Sequence, residues 1–279
     1  MPVYARVPSR DLGLELGLLM ARYLLDSEEL HYGYWSPGLE VKLQNLPLAQ
    51  RAHTELILSH LPAGAGRVLD VGCGTGGLSL RMLERGCEVE CVAPDSTLLD
   101  CAEKRLGGRA KIHRAKFEDF ASARNFDAVV FSESFQYVPM AEGLENVKRL
   151  LAPAGSLLIC DFFKRPGKPG SLIGGGHKFN KFEQAVAASG MKTVIDIDIT
   201  EQCAPTMTLV EDFLNRVGAP AWELVNSYAA ASRPLSTRLA RRLFRKRLAK
   251  VEDKYFKGKR TAAAFIEFKT YRLMRIECA

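Results

Sequence analysis

The 279-residue sequence predicts an α/β fold, a mostly parallel sheet with helices on both faces. Three observations carry that prediction. An apolar strand, Val68-Leu69-Asp70-Val71, runs without a spacer into the glycine-dense turn Gly72-Cys73-Gly74-Thr75-Gly76-Gly77 and then into a helix from Leu78 to Arg85. Beyond it, strand-like and helix-like stretches alternate as far as residue 200. A content of 47% hydrophobic and 25% charged residues suffices to bury a large core in one elaborated domain, without disulfides or a metal.

The elements follow in order. An apolar run from Leu12 to Leu25 reads as an amphipathic helix, because Glu15 and Arg22 interrupt it. No small-residue cleavage site follows, so neither a signal peptide nor a membrane span is expected. After the glycine turn come a strand at Glu88–Ala93, a helix at Leu98–Leu106, a short strand at Lys111–Arg114 and a strand at Phe126–Phe131. A helix at Ala141–Leu151, a strand at Ser156–Phe162, a helix at Lys181–Ser189 and a strand at Lys192–Thr200 complete the alternation. Thr261–Glu277 reads as one long terminal strand with a bulge. The resulting division is an N-terminal helical lid over 1–60, a core over 61–200, a helical cap inserted over 201–260, and the terminal strand of the core over 261–279.

Composition narrows the function. Seven cysteines are odd in number, scattered and never in a C-x-x-C pair, which points to reduced thiols, a cytoplasmic protein and no metal site. The net charge is +7, with much of the excess between Arg233 and Arg260, where Leu235, Leu239, Leu243 and Phe244 recur at helical spacing. This basic amphipathic helix is either a solvated face over a packed stripe or a weak docking surface, over 235–260, for an acidic surface or carrier. Nucleic acid is not expected, since no aromatic interleaving or binding module accompanies the charge.

The turn itself suits a nucleoside cofactor. Gly72, Gly74 and Gly76 permit positive φ and close backbone approach, and the amides opening the next helix favour an electronegative ligand edge. Gly72, Gly74 and Gly77 also satisfy the G-x-G-x-x-G spacing of dinucleotide-binding folds, so spacing alone leaves two cofactors open. The distinguishing features are Asp70 before the first glycine, Asn125-Phe126-Asp127-Ala128-Val129-Val130-Phe131 followed by Ser132-Glu133-Ser134, and Leu150-Leu151-Ala152-Pro153-Ala154-Gly155-Ser156-Leu157.

Together these phrases resemble motif I, the fourth strand with its active-site loop, and the turn into the fifth strand of the class I S-adenosylmethionine (SAM)-dependent methyltransferases. His31-Tyr32-Gly33-Tyr34-Trp35 is similar to the lid of the tocopherol- and sarcosine-type small-molecule enzymes of that family. The resemblance implies a Rossmann-like seven-stranded sheet, SAM as cofactor, S-adenosylhomocysteine as product, and a small-molecule substrate. It places Asp70, Gly72, Cys73, Gly74 and Gly76 at the methionine end of SAM, with Tyr34 and Trp35 over it. Ala93, Pro94 and Asp95 fall at the ribose, and Lys116, Phe117 and Glu118 at the adenine. Ser132 and Glu133 lie beside the transfer centre. Two positions depart from the pattern: Ala93 replaces the usual ribose-binding acid, leaving Asp95 as either its substitute or a helix N-cap, and Lys116 stands where an aspartate is common.

Glu133, His31, Tyr137 and His177 are the catalytic candidates, as groups able to orient or deprotonate an acceptor. The two histidines also have a structural reading, His31 as a hydrogen-bonding residue and His177 in a surface loop after three glycines. In the cap, Met207, Phe213, Trp222 and Tyr228 suggest room for an apolar substrate, though packing within the cap accounts for them nearly as well. The expected function is methyl transfer to a small or medium, apolar organic molecule at O, N or C. Two alternatives are a cyclopropane-synthase-like lipid enzyme and a SAM-fold interaction subunit without catalysis. A nicotinamide oxidoreductase is the least favoured reading.

Overall fold

The computed structural model describes residues 9–94, 97–168, 173–258 and 260–278. Helix α1 (Ser9–Leu25) leads through an irregular segment to α2 (Leu46–Ser59), which the sequence reading did not mark. Pro47 in the first turn of α2 costs no hydrogen bond there, and Ala49, Gln50, His53 and Ile57 recur at helical spacing to give one buried face.

The core then alternates: β1 (Arg67–Val71), α3 (Gly77–Glu84), β2 (Glu88–Ala93), α4 (Thr97–Leu106), β3 (Lys111–Arg114), β4 (Phe126–Ser132), α5 (Met140–Leu150), β5 (Leu151–Lys164), α6 (Phe179–Ala188) and β6 (Met191–Asp198). Four helices complete the insertion that follows, α7 (Thr200–Cys203), α8 (Pro205–Phe213), α9 (Ala219–Ser232) and α10 (Pro234–Tyr255), with a single π-helical turn, Leu214–Gly218, between α8 and α9. Helix α11 (Ala262–Phe268) and β7 (Lys269–Cys278) return to the sheet.

Seven strands pair in the order β3-β2-β1-β4-β5-β7-β6. The first five are parallel, and β7 runs antiparallel to both neighbours. Alternation of side chains along the strands splits the core into two layers. Val68, Val130, Leu158 and Leu273 pack on one face, and Leu69, Val129, Leu157 and Met274 on the other. The chain leaves β1 toward β2 on one side and reaches β4 on the other, so a crevice opens at the carboxyl ends of β1 and β4, where open α/β sheets bind ligands.

The predicted sheet and its helical alternation are present, with one element corrected. Thr261–Glu277 is not one strand but a helix followed by a strand. The Thr261 hydroxyl accepts the Ala264 amide at 3.0 Å, and three alanines after it favour helix over extended chain. The irregularity expected in this stretch appears in the β6–β7 ladder, between Thr193 and Ile195 of β6.

Candidate active site

A cavity of about 640 Å3 lies at the carboxyl edge of the sheet, bounded by the ends of β1, β2 and β4 and by the N-terminal segment. Its floor is the glycine turn. Gly72 (φ 74°) and Gly74 (φ 55°) both sit in the left-handed region. A Cβ on Gly72 would fall 2.5 Å from Cβ of Ser134, whose hydroxyl donates to the Val71 carbonyl, whereas the Cβ position of Gly74 is open. Turn and active-site loop are thus pressed together, while the backbone at Gly74 is bare to a ligand. Gly76 serves packing instead: its Cβ position faces Ala102 of α4, and it is not on the cavity wall.

Asp70 closes one side. It is 1% exposed, and burial pushes its carboxyl up to about 6 even though the Ser79 hydroxyl donates to it and works the other way. Cys73 lines the same wall. Toward the other end, Ala93, Pro94, Lys116, Phe117 and Glu118 line the cavity together. Phe117 is held edge-on against Phe131 at 5.1 Å. Asp95 lies outside the described residues.

The N-terminal segment is pinned by charge. Arg105 of α4 donates to Glu29 at 2.7 Å and to Glu28 at 2.9 Å, and the Thr75 hydroxyl donates to the Glu28 carbonyl at 3.1 Å. Burial alone would raise the Glu29 carboxyl, but His31 and Arg105 outweigh it and hold it at about 2. Glu29 rests directly on Gly77, leaving no room there for a side chain.

Glu133 occupies the centre of the opposite wall. It is one of two non-glycine residues with positive φ (54°) among those described, a conformation retained because its surroundings fix it. Its Oε1 accepts the Tyr32 amide at 2.7 Å and the Tyr271 hydroxyl at 2.8 Å. His53 Nε2 lies 2.9 Å from that hydroxyl, so a neutral His53 with its proton on Nε2 donates to Tyr271, which donates onward to Glu133. Burial and then the nearby His31 push the His53 imidazole well below its ordinary value, which fits this assignment.

His31 stacks on His53 at 4.9 Å and donates from Nδ1 to the Tyr32 carbonyl at 2.8 Å, with Nε2 3.6 Å from Glu29. Burial opposes its charged form, yet the Glu29 and Glu133 carboxylates together raise it. Burial raises the Glu133 carboxyl against the opposing pull of His31, Tyr271 and the Tyr32 amide. Beside them Asp161, buried and close to Glu133, is pushed up to about 8 while it accepts the Gln136 and Phe162 amides. The site therefore holds a carboxyl group poised to take a proton, an imidazole between two carboxylates, and apolar surface from Val138, Pro139 and Phe162.

His31, Ser132, Glu133 and Tyr137, named from the sequence, all line this cavity. Four other assignments are corrected. Trp35 is 6% exposed and points away, its indole donating to Thr206 at 3.0 Å; an aromatic with a polar tip found a partner in the insertion. Tyr34 packs on the core and is absent from the wall, where Leu30, His31 and Tyr32 stand instead. His177 Nε2 lies 3.1 and 3.0 Å from the carbonyls of Phe135 and Val138, so the ring braces the active-site loop from behind. The insertion is no roof over this cavity either: among the described residues, none between 201 and 260 lines it. Met207 is buried beneath the Tyr32 hydroxyl, Trp222 stacks on Phe256 at 5.7 Å, Phe213 is partly exposed, and Tyr228 is exposed. Sequence reasoning missed Glu29, Arg105, His53 and Tyr271. Only the acid pair Glu28-Glu29 before His31 offered a local signal for any of them.

Comparison with known proteins bears on the fold and on residues 68–155. Residues 68–155 match the model of a methyltransferase domain. The chain is 36% identical over 97 residues to an uncharacterized methyltransferase from Mycobacterium bovis, a match covering 35% of this chain and 40% of that relative, so it spans well under half of the relative's length. Among solved structures, the geranyl diphosphate C-methyltransferase of Streptomyces coelicolor A3(2), in complex with Mg2+, geranyl diphosphate and S-adenosyl-L-homocysteine, shares the fold with a TM-score of 0.65 at 16% identity, covering 95% of this chain and 98% of that one. A cyclopropane synthase from Mycobacterium tuberculosis does so with a TM-score of 0.67 at 17% identity, covering 95% and 93%. The fold and the glycine turn thus define a class I Rossmann-like domain. Within that fold, residues 68–155 are similar to a methyltransferase domain.

Proposed function

We propose that this protein is a SAM-dependent methyltransferase acting on a small or medium organic molecule with an apolar body and an acceptor atom that sheds a proton. The observation that carries the reading is the meeting, in one cavity, of the bare glycine turn and the buried carboxyl group of Glu133. The residues fit the cofactor: Gly72, Cys73, Gly74 and Asp70 would hold its methionine end, and Ala93, Pro94, Lys116, Phe117 and Glu118 its adenosine end. When bound, SAM supplies an electrophilic methyl carbon on a good leaving group, and a site for such transfer needs alignment and exclusion of water more than covalent participation.

Glu133 then accepts the acceptor's proton. Burial raises its proton affinity toward the working pH, and two hydrogen bonds fix its orientation. His31, between Glu29 and Glu133, balances their charge across the two ends of the cavity. Val138, Pro139 and Phe162 offer the apolar surface for the substrate body. Isothermal titration with SAM and S-adenosylhomocysteine tests the reading. Saturable one-site binding of both is expected, and failure of both to bind sinks it.

A further inference from the structure

The insertion contributes nothing to the cavity wall among its described residues, and its second half packs mainly on itself. Helices α9 and α10 form a hairpin in which, among the described residues, the Thr237 hydroxyl donates to the Ala229 carbonyl at 2.8 Å, Arg241 donates to Asn226 at 3.2 Å, and the Trp222 indole donates to Glu252 at 3.3 Å. These fix which face of α10 is turned inward. At 100° per residue, Leu235, Leu239 and Leu243 lie opposite that face, and they are 79%, 59% and 69% exposed. On α9, Leu224, Val225 and Tyr228 are similarly bare, at 73%, 63% and 72%.

Charge follows the same face. Helix α10 carries eight cations against two carboxylates, and so six of the seven net positive charges of the whole chain. Arg242, Lys246 and Lys250 flank the leucine row on its outward side, and all three are exposed. Solvation alone accounts for cations on an exposed helix; it does not account for three leucines held at its outermost edge among them.

We propose that the α9–α10 hairpin docks this protein on an anionic lipid bilayer, with the leucine row entering the headgroup boundary and the flanking cations at the phosphates. An interfacial helix needs an apolar row between long cationic side chains whose stems lie on the membrane and whose heads reach the headgroups. No helix among the described residues is long and apolar enough to cross a membrane, so the contact is peripheral. The inference stands apart from the methyl-transfer reading, since none of these residues touches the cavity.

Flotation of the full chain with phosphatidylcholine vesicles, with and without phosphatidylglycerol, tests it. Binding is expected to the phosphatidylglycerol vesicles alone and to fall as salt is raised. L235S/L239S/L243S should abolish flotation. R242Q/K246Q/K250Q should weaken it about a hundredfold, roughly fivefold for each cation near the surface. Both variants should keep the thermal unfolding midpoint of the parent, which separates lost docking from lost fold. Absence of flotation with phosphatidylglycerol vesicles overturns the proposal. So does equal flotation of L235S/L239S/L243S and the parent, which would mark the helix as a general polyanion surface, the behaviour expected if its partner were an acidic protein.

Discussion

Asp70→Asn is expected to stabilise the ligand-free protein at neutral pH while weakening its affinity for S-adenosylhomocysteine. Burial holds the Asp70 carboxyl at about 6 against an ordinary 3.8. Between those values the folded chain keeps a proton that the unfolded chain has released, so stability falls as pH rises through that window. The difference of about 2 pH units corresponds to about 3 kcal/mol of stability forgone above pH 6, at about 1.4 kcal/mol per unit. An asparagine of the same shape can still accept from Ser79 and carries no charge to bury. Urea unfolding of both proteins from pH 4 to pH 8 reads the effect. The parent should lose stability relative to D70N between pH 4 and pH 6, with a constant gap above. Parallel curves across the window, or a D70N protein less stable than its parent at pH 7, would refute the argument that Asp70 is strained by desolvation.

Glu133→Gln should keep the fold and S-adenosylhomocysteine affinity, since an amide oxygen can accept from Tyr32 and Tyr271. Turnover of an accepted substrate should fall by about 10²–10⁴. In the parent, activity should decline as pH drops through the raised Glu133 value, and E133Q should lack that limb; an unchanged pH profile would count against Glu133 as the base. Arg105→Ala removes the two ion pairs by which Arg105 of α4 holds Glu28 and Glu29 of the N-terminal segment, so S-adenosylhomocysteine affinity by calorimetry should fall about tenfold, and limited proteolysis should cut sooner before residue 46.

Local features of the fold were legible because they depend on neighbours in sequence. The run from Val68 to Gly77 states a strand, a turn and a helix start through residues whose conformations are locally fixed, and β2, β3 and β4 follow by alternation. Thr261–Glu277 misled because Phe265, Tyr271 and Ile276 carry strand-like residue types, while the helix is decided by the Thr261 cap and the alanines after it. The site divides in the same way. Gly72, Asp70 and Glu133 announce themselves locally, whereas Tyr271 meets Glu133 across 138 residues and His53 meets Tyr271 across 218. Nothing in either local sequence encodes that meeting. Trp35 was misplaced for a related reason, since its partner Thr206 lies 171 residues away.

The placement of β7 bears on how the protein is made. This strand is synthesised after the entire insertion, yet it lies between β5 and β6 in the sheet. Until it emerges from the ribosome, β5 remains an open edge and β6 has no strand to pair with, so the nascent chain carries exposed backbone that invites wrong pairing. Tyr271 arrives with the same strand, and with it the hydroxyl that holds Glu133 in place. Completion of the sheet and fixing of the Glu133 carboxyl group therefore wait on the same strand.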